Sequence, residues 1–176
     1  NDLKGKDLEA WRSAYGKAMR DRISEHTMDF GVLAGYMLIL DPETCLKYDI
    51  INLHPALPST YQGTWEEIVR RVAESDDMTY GSMVHVCTPE LDRGTTVAYD
   101  EFGIDDLRAK CESKEDLASA LRERQRSREV PLLMETIKML TEGRVVLVGG
   151  RLMDGQGRPV SKAPNLAPSI DRTLER

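Results

Sequence analysis

Cysteine is scarce in this chain. Cys45, Cys87 and Cys111 are the only three, and no two of them are spaced as CxxC. An odd count without paired spacing speaks against a disulfide scaffold or a thiolate zinc site, and for reduced thiols in the cytoplasm. His26, His54 and His85 do not have the spacing of a zinc motif, so no metal is expected. Long apolar runs are also missing. None approaches the ~18 residues of a membrane span, and the polar start Asn1-Asp2-Leu3-Lys4-Gly5-Lys6 does not resemble a secretory signal. A membrane is therefore not an expected partner. Positive charge is outnumbered: 24 Lys and Arg face 30 Asp and Glu, a formal net charge of −6. That balance argues against a nucleic-acid partner. There is no internal repeat or low-complexity segment, and no G-x-G-x-x-G follows an expected strand, which disfavours a nicotinamide-binding fold.

What is present fits one soluble domain. The chain has 176 residues, 40% of them hydrophobic and 31% charged, enough for a core. Leu8, Trp11, Tyr15, Ala18, Met19, Arg22 and Ile23 recur at helical spacing and predict a helix over about residues 6–25. Phe30 to Gly35 is a continuous apolar run and reads as a strand buried on both faces. Asp41-Pro42 predicts a helix start, with the helix filling residues 42–47. Residues 49–53 predict a second buried strand, and Trp65, Ile68, Val69 and Val72 mark another amphipathic helix. Two strands follow, Tyr80 to Thr88 and Thr95 to Phe102, joined by a turn at Asp92-Arg93-Gly94. Ser113 with Asp116 predicts a helix to about Arg126. Pro131 predicts the start of a separate helix ending at Glu142, capped by Gly143. Val145 to Val148 and Arg151 to Met153 read as a hairpin around Gly149-Gly150. The expected fold class is α/β: a mainly parallel sheet with antiparallel strands toward the C-terminus. Residues 1–154 are expected to form the catalytic domain and residues 155–176, rich in Pro and Gly, a surface tail.

The candidate chemistry lies at the end of the second strand. Side chains alternate along a strand, so Asn52 and His54 point the same way, and Pro55 ends the run. In a parallel α/β sheet, ligands gather at the carboxyl edge of the strands. An amide can hold an oxyanion, an imidazole can move a proton, and a carboxylate such as Asp92 can position both imidazole and water. Blander readings apply elsewhere. His85, inside an apolar strand, reads as a structural residue or a neighbour of the site. Met37, Ile39 and Leu40 read either as plain core or as the wall of a slot. Cys87 reads as inert core, and Arg122, Arg124, Arg126 and Arg128 as a solvated helix face.

Five segments carry a family resemblance. Asn52-Leu53-His54-Pro55-Ala56-Leu57 with Tyr61-Gln62-Gly63, Gly81-Ser82-Met83-Val84-His85, Glu90-Leu91-Asp92-Arg93-Gly94, Val32 to Leu40, and Glu129 through Val145 occur in one order and spacing. Together they resemble the folate-dependent formyltransferases, closest to the glycinamide ribonucleotide (phosphoribosylglycinamide) formyltransferases of purine synthesis. The resemblance covers about residues 6–153. It implies a Rossmann-like fold of the formyltransferase type and 10-formyltetrahydrofolate as donor. Asn52, His54 and Asp92 would be the catalytic residues, and Met37, Leu38, Ile39, Leu40, Glu90 and Leu91 would contact the folate. The acceptor it implies is a small, phosphorylated amine.

The chain departs from the family pattern in places. Leu38 stands where arginine is usual, and Val130 where a histidine often follows the glutamate. Such differences bear on the acceptor more than on the folate chemistry. The family's glycine-rich phosphate loop does not precede Asn1. The sheet is therefore expected to lack its N-terminal half, to be completed by the full-length chain, a partner or a second copy. Two further enzyme readings remain, a formyltetrahydrofolate deformylase and an amino-sugar formyltransferase. So does a reading of another class, a non-catalytic folate- or partner-binding module.

Overall fold

The computed structural model describes residues 7–175; the polar start read at residues 1–6 and Arg176 lie outside it. Helix α1 (Leu8–Ile23) begins at Asp7, whose carboxylate accepts from Ala10 N. It is followed by β1 (Gly31–Leu33), α2 (Pro42–Lys47), β2 (Ile50–His54), α3 (Trp65–Glu74), β3 (Thr79–Val86) and β4 (Thr96–Gly103). Two more helices, α4 (Asp105–Lys110) and α5 (Lys114–Thr141), precede the hairpin of β5 (Val145–Val148) and β6 (Arg151–Asp154), and α6 (Ala167–Leu174) closes the order. Caps follow the sequence chemistry: Asp41 and Pro42 open α2, and Thr64 and Glu67 form a reciprocal capping box on α3.

The main sheet has the order β1-β2-β3-β4. Strands β1 and β2 are parallel, while β2–β3 and β3–β4 are antiparallel. The α/β class with antiparallel strands on the C-terminal side is as the sequence predicts; the β1–β2 pair is its parallel part among the described residues. Alternation along the strands sorts the side chains. Ile51, Val84, Val86 and Val97 join Leu132, Met139, Leu140 and Ile170 in one buried cluster. A second cluster gathers Ile68, Val72, Tyr80, Ile104, Leu117 and Leu121. The long helix α5 serves both, with Leu117 and Leu121 in one and Leu132 through Leu140 in the other. At ~25 cal/mol per Å² of apolar area, burying each such Leu or Ile stabilises by about 1.5–3 kcal/mol.

Four sequence expectations are corrected. The apolar run at residues 30–35 is not buried on both faces: β1 spans only Gly31–Leu33, and Val32 is exposed. The cause is position, since β1 pairs with β2 alone and forms the sheet edge among the described residues. Pro131 does not start a new helix but sits inside continuous α5. A proline there removes one donor and costs on the order of 3 kcal/mol. Packing by both halves of α5 offsets that. Helix α4 was not foreseen, because its six residues carry no side-chain cap. The segment read as a surface tail docks instead. Tyr99 N donates to Pro164 O and Leu166 N to Tyr99 O, so residues 164–166 cover the outer edge of β4. Ile170 of α6 is then wholly buried.

Candidate active site

Strand register brings the polar residues together. Asn52 and His54 share one face of β2, and Asn52 lies directly opposite His85 on β3. A register irregularity between Val84 and His85 on the β4 side re-aims the strand at this point. Asp92 reaches the same place from the loop between β3 and β4. Its backbone is left-handed, with φ of 55°, a conformation that Asp tolerates better than most residues.

The loop is pressed against β3 at Gly94. A Cβ there would lie 1.6 Å from the carbonyl oxygen of Val86, and Val86 N donates to Thr95 O at 2.9 Å on the same stretch. No side chain fits without moving the backbone that carries Asp92. Gly94→Ala is therefore expected to cost about 1–3 kcal/mol by overpacking. Misplacing the carboxylate is expected to lower turnover about 10²-fold. Thermal melting and steady-state rates on one preparation check both. Native rates would show that the loop position does not matter.

Hydrogen bonds to the backbone fix both imidazoles. His54 Nε2 lies 2.9 Å from Tyr61 O, and His85 Nδ1 lies 3.0 Å from Val86 O. A carbonyl only accepts, so each of these nitrogens carries the hydrogen. Burial holds the pKa of His85 below its ordinary value, so its ring is neutral and Nε2 carries a lone pair. That lone pair accepts from Asn52 Nδ2 at 3.3 Å. The remaining nitrogen of His54, Nδ1, lies 3.5 Å from Asp92 Oδ1, and His85 Nε2 lies 3.6 Å from the same oxygen. Only 3% of the His54 side chain is exposed.

This cluster forms the floor of a pocket of about 440 Å³. Asn52, His54 and Asp92 all line it, as do Met37, Leu38, Ile39, Leu40 and Leu91. The wall segment Tyr36 to Leu40 is loop rather than strand, because the chain turns after β1 at Gly35. Met37 is 75% exposed and Leu40 buried, so the wall runs from an open lip to the core. Glu90 is not among the lining residues. Its side chain is exposed, and its carbonyl accepts from Thr88 Oγ1 and Arg93 N, shaping the turn before Asp92.

His85, read from the sequence as a structural residue or a neighbour of the site, stands in the cluster because cross-strand register sets it opposite Asn52. Trp65, Arg122 and Glu129 were not singled out for the pocket, yet all three line it. Arg122 lies over the Trp65 ring at 4.9 Å and pairs with Glu129 at 2.6 Å, so Arg122 is not on a solvated face. Arg128 is buried against Asp100, another departure from that expectation. Cys87 lines the pocket, and burial pushes its thiol up to about 12, so it is a poor nucleophile. All three cysteines are free, and no helix of the described residues is long and apolar enough to cross a membrane.

A sheet edge that presents an amide, two imidazoles and a carboxylate to an apolar-walled pocket is an arrangement for acyl-group chemistry. The formyl transferase family model matches residues 3–137, and the chain belongs to that family, enzymes that move formyl groups. The chain is 35% identical over 150 residues to a phosphoribosylglycinamide formyltransferase of Dictyostelium discoideum, across 79% of this chain and 68% of that protein. With its counterpart in Haemophilus influenzae it shares 32% over 151 residues, across 84% of this chain and 66% of that protein. The chain thus spans about two thirds of the length of these relatives. Its fold is similar to the solved phosphoribosylglycinamide formyltransferase of Coxiella burnetii, with a TM-score of 0.72 at 21% identity, covering 88% of this chain and 69% of that one.

Proposed function

We propose that this chain carries the catalytic centre for transfer of a formyl group from 10-formyltetrahydrofolate to the amine of glycinamide ribonucleotide. The observation that carries the reading is the convergence of Asn52, His54 and Asp92 on one pocket with an apolar wall. The named relatives support the choice of acceptor.

In this mechanism the amine nitrogen attacks the formyl carbon, and the carbonyl oxygen becomes an oxyanion. Asn52 Nδ2 carries two hydrogens; His85 engages one, which leaves the other for the oxyanion. Each well-placed donor of this kind is worth about 3–4 kcal/mol in the transition state. His54 has one nitrogen free for proton work, Nδ1, because Nε2 is committed to Tyr61. A proton on Nδ1 donates to the oxyanion from one side and is held by Asp92 on the other. The amine gives up a proton, N10 of the folate gains one, and the bond from the formyl carbon to N10 breaks. Asp92 and a pocket water relay that proton between the two nitrogens. Met37, Leu38, Ile39, Leu40 and Leu91 wall the folate slot, and Glu90 supports the loop that presents Leu91 and Asp92. Residues 1–154 form the catalytic unit in this reading, with the docked C-terminal segment steadying β4. The free thiols support a reducing, cytoplasmic setting.

Loss of the formyl group from the donor, followed spectrophotometrically with and without glycinamide ribonucleotide, tests the proposal on the intact protein. Turnover that requires the amine is expected. Turnover with water alone would assign a deformylase instead, and folate binding without turnover would leave a binding module.

A further inference from the structure

The tautomers fixed by the backbone have a consequence beyond proton transfer. His54 is anchored through Nε2 and His85 through Nδ1. Their two remaining nitrogens both face Asp92 Oδ1, at 3.5 Å and 3.6 Å. The three ligand atoms lie within 4.8 Å of one another, and all three residues line the pocket. Two imidazole nitrogens and a carboxylate are a ligand set suited to zinc. Tetrahedral coordination with bonds of about 2.0–2.1 Å places neighbouring ligand atoms roughly 3.4 Å apart. The observed pair distances to Asp92 are within a few tenths of that. Backbone carbonyls already hold the far nitrogen of each ring, which is the outer-shell support that zinc-binding histidines commonly have. The fourth position opens to the pocket, where water or a substrate atom can sit.

We propose that His54 Nδ1, His85 Nε2 and Asp92 Oδ1 form a binding site for one divalent zinc-type cation, and that the loaded form is a blocked form. Binding displaces no protein ligand except the Asn52 amide, which must release His85 Nε2. The His54 Nδ1 position that donates its proton to the oxyanion in the transfer reaction is then held by the ion. Cation and reaction therefore exclude each other. The block rests on the formyl-transfer reading, whereas the binding itself does not.

The sequence has three histidines, and His26 is exposed and outside the pocket. Histidine side-chain nitrogen NMR of the chelator-treated protein, titrated with Zn²⁺ alone and with no folate or amine present, therefore reads the site directly. The expected result is that the His54 and His85 signals shift together and saturate at one equivalent. His54 should coordinate through Nδ1 with Nε2–H retained, His85 through Nε2 with Nδ1–H retained, and His26 should not move. Co²⁺ should give the visible bands of a tetrahedral complex without thiolate charge-transfer bands. His85→Ala should abolish both signatures, and His26→Ala should leave both in place. Unmoved His54 and His85 signals in the unsubstituted protein, or thiolate bands showing capture at the cysteines, would overturn the site. If binding is found but Zn²⁺ leaves formyl transfer unchanged, the site stands and the blocking role fails.

Discussion

Replacing His54 with alanine is expected to lower kcat for formyl transfer about 10³-fold while leaving KM for the folate donor nearly unchanged. The reasoning is geometric. Nδ1 faces Asp92 and the pocket, and Nε2 is committed to the Tyr61 carbonyl, so in the proposed reaction the ring serves charge and proton movement at the reacting carbon. The slot proposed for the donor is walled by Met37 to Leu40 and Leu91, which the substitution does not touch. A loss confined to kcat marks an interaction made only in the transition state. Because His54 is buried, His54→Gln serves as a companion: its amide can still donate to Tyr61 O but cannot carry the proton. Both variants should be slow and both folded by circular dichroism. A His54→Gln variant with native kcat would remove the imidazole from the mechanism.

Arg128→Met is expected to destabilise the fold by about 3–5 kcal/mol. Arg128 donates from Nε and Nη2 to the two oxygens of Asp100 at 2.7 and 2.8 Å, and a third nitrogen pairs with Asp171 of α6 at 2.7 Å. Its guanidinium also lies over the Phe102 ring at 5.1 Å. Asp100, on β4, is almost fully buried, so removing the arginine leaves a core carboxylate without its ion-pair partner. The fork joins α5, β4 and α6, and the hydrogen bonds to Asp100 hold the arginine's own pKa above its usual value. Chemical denaturation reads the loss. Adding Asp100→Asn to Arg128→Met should recover part of it, because the orphaned charge is gone. Equal losses in the single and double variants would show that the stem of Arg128, and not its charge, is what matters.

Local signals in the sequence reported local structure well. Asp41-Pro42 predicted a helix over residues 42–47, and α2 spans Pro42–Lys47. Gly143 follows α5 in the left-handed conformation expected of a cap. The i, i+2 spacing of Asn52 and His54 sufficed to put both in one cleft, since it needs only strand periodicity. Failures came where tertiary contact overrules the local signal. Pro131 is a helix-start residue by chemistry, yet the burial of Leu132, Met139 and Leu140 on one side and Leu117 and Leu121 on the other keeps α5 continuous across it. The C-terminal segment reads as a tail by composition, yet buried Ala167 and Ile170, two backbone bonds to Tyr99 and the pair of Asp171 with Arg128 dock it. From the sequence, His85 stays between a structural role and a place beside the site because its position is set by pairing with Asn52 across 33 residues of chain. A lone sequence does not reveal that register.

Single-turnover transfer from donor carrying a labelled formyl carbon tests the central claim most directly, because it reports the chemical step without product release. With Asn52, His54 and Asp92 intact, the label should appear on the amine nitrogen of glycinamide ribonucleotide. Substituting any one of the three should slow that step by orders of magnitude without loss of donor binding. Label released only as formate, or an unaltered rate in all three variants, would contradict the account.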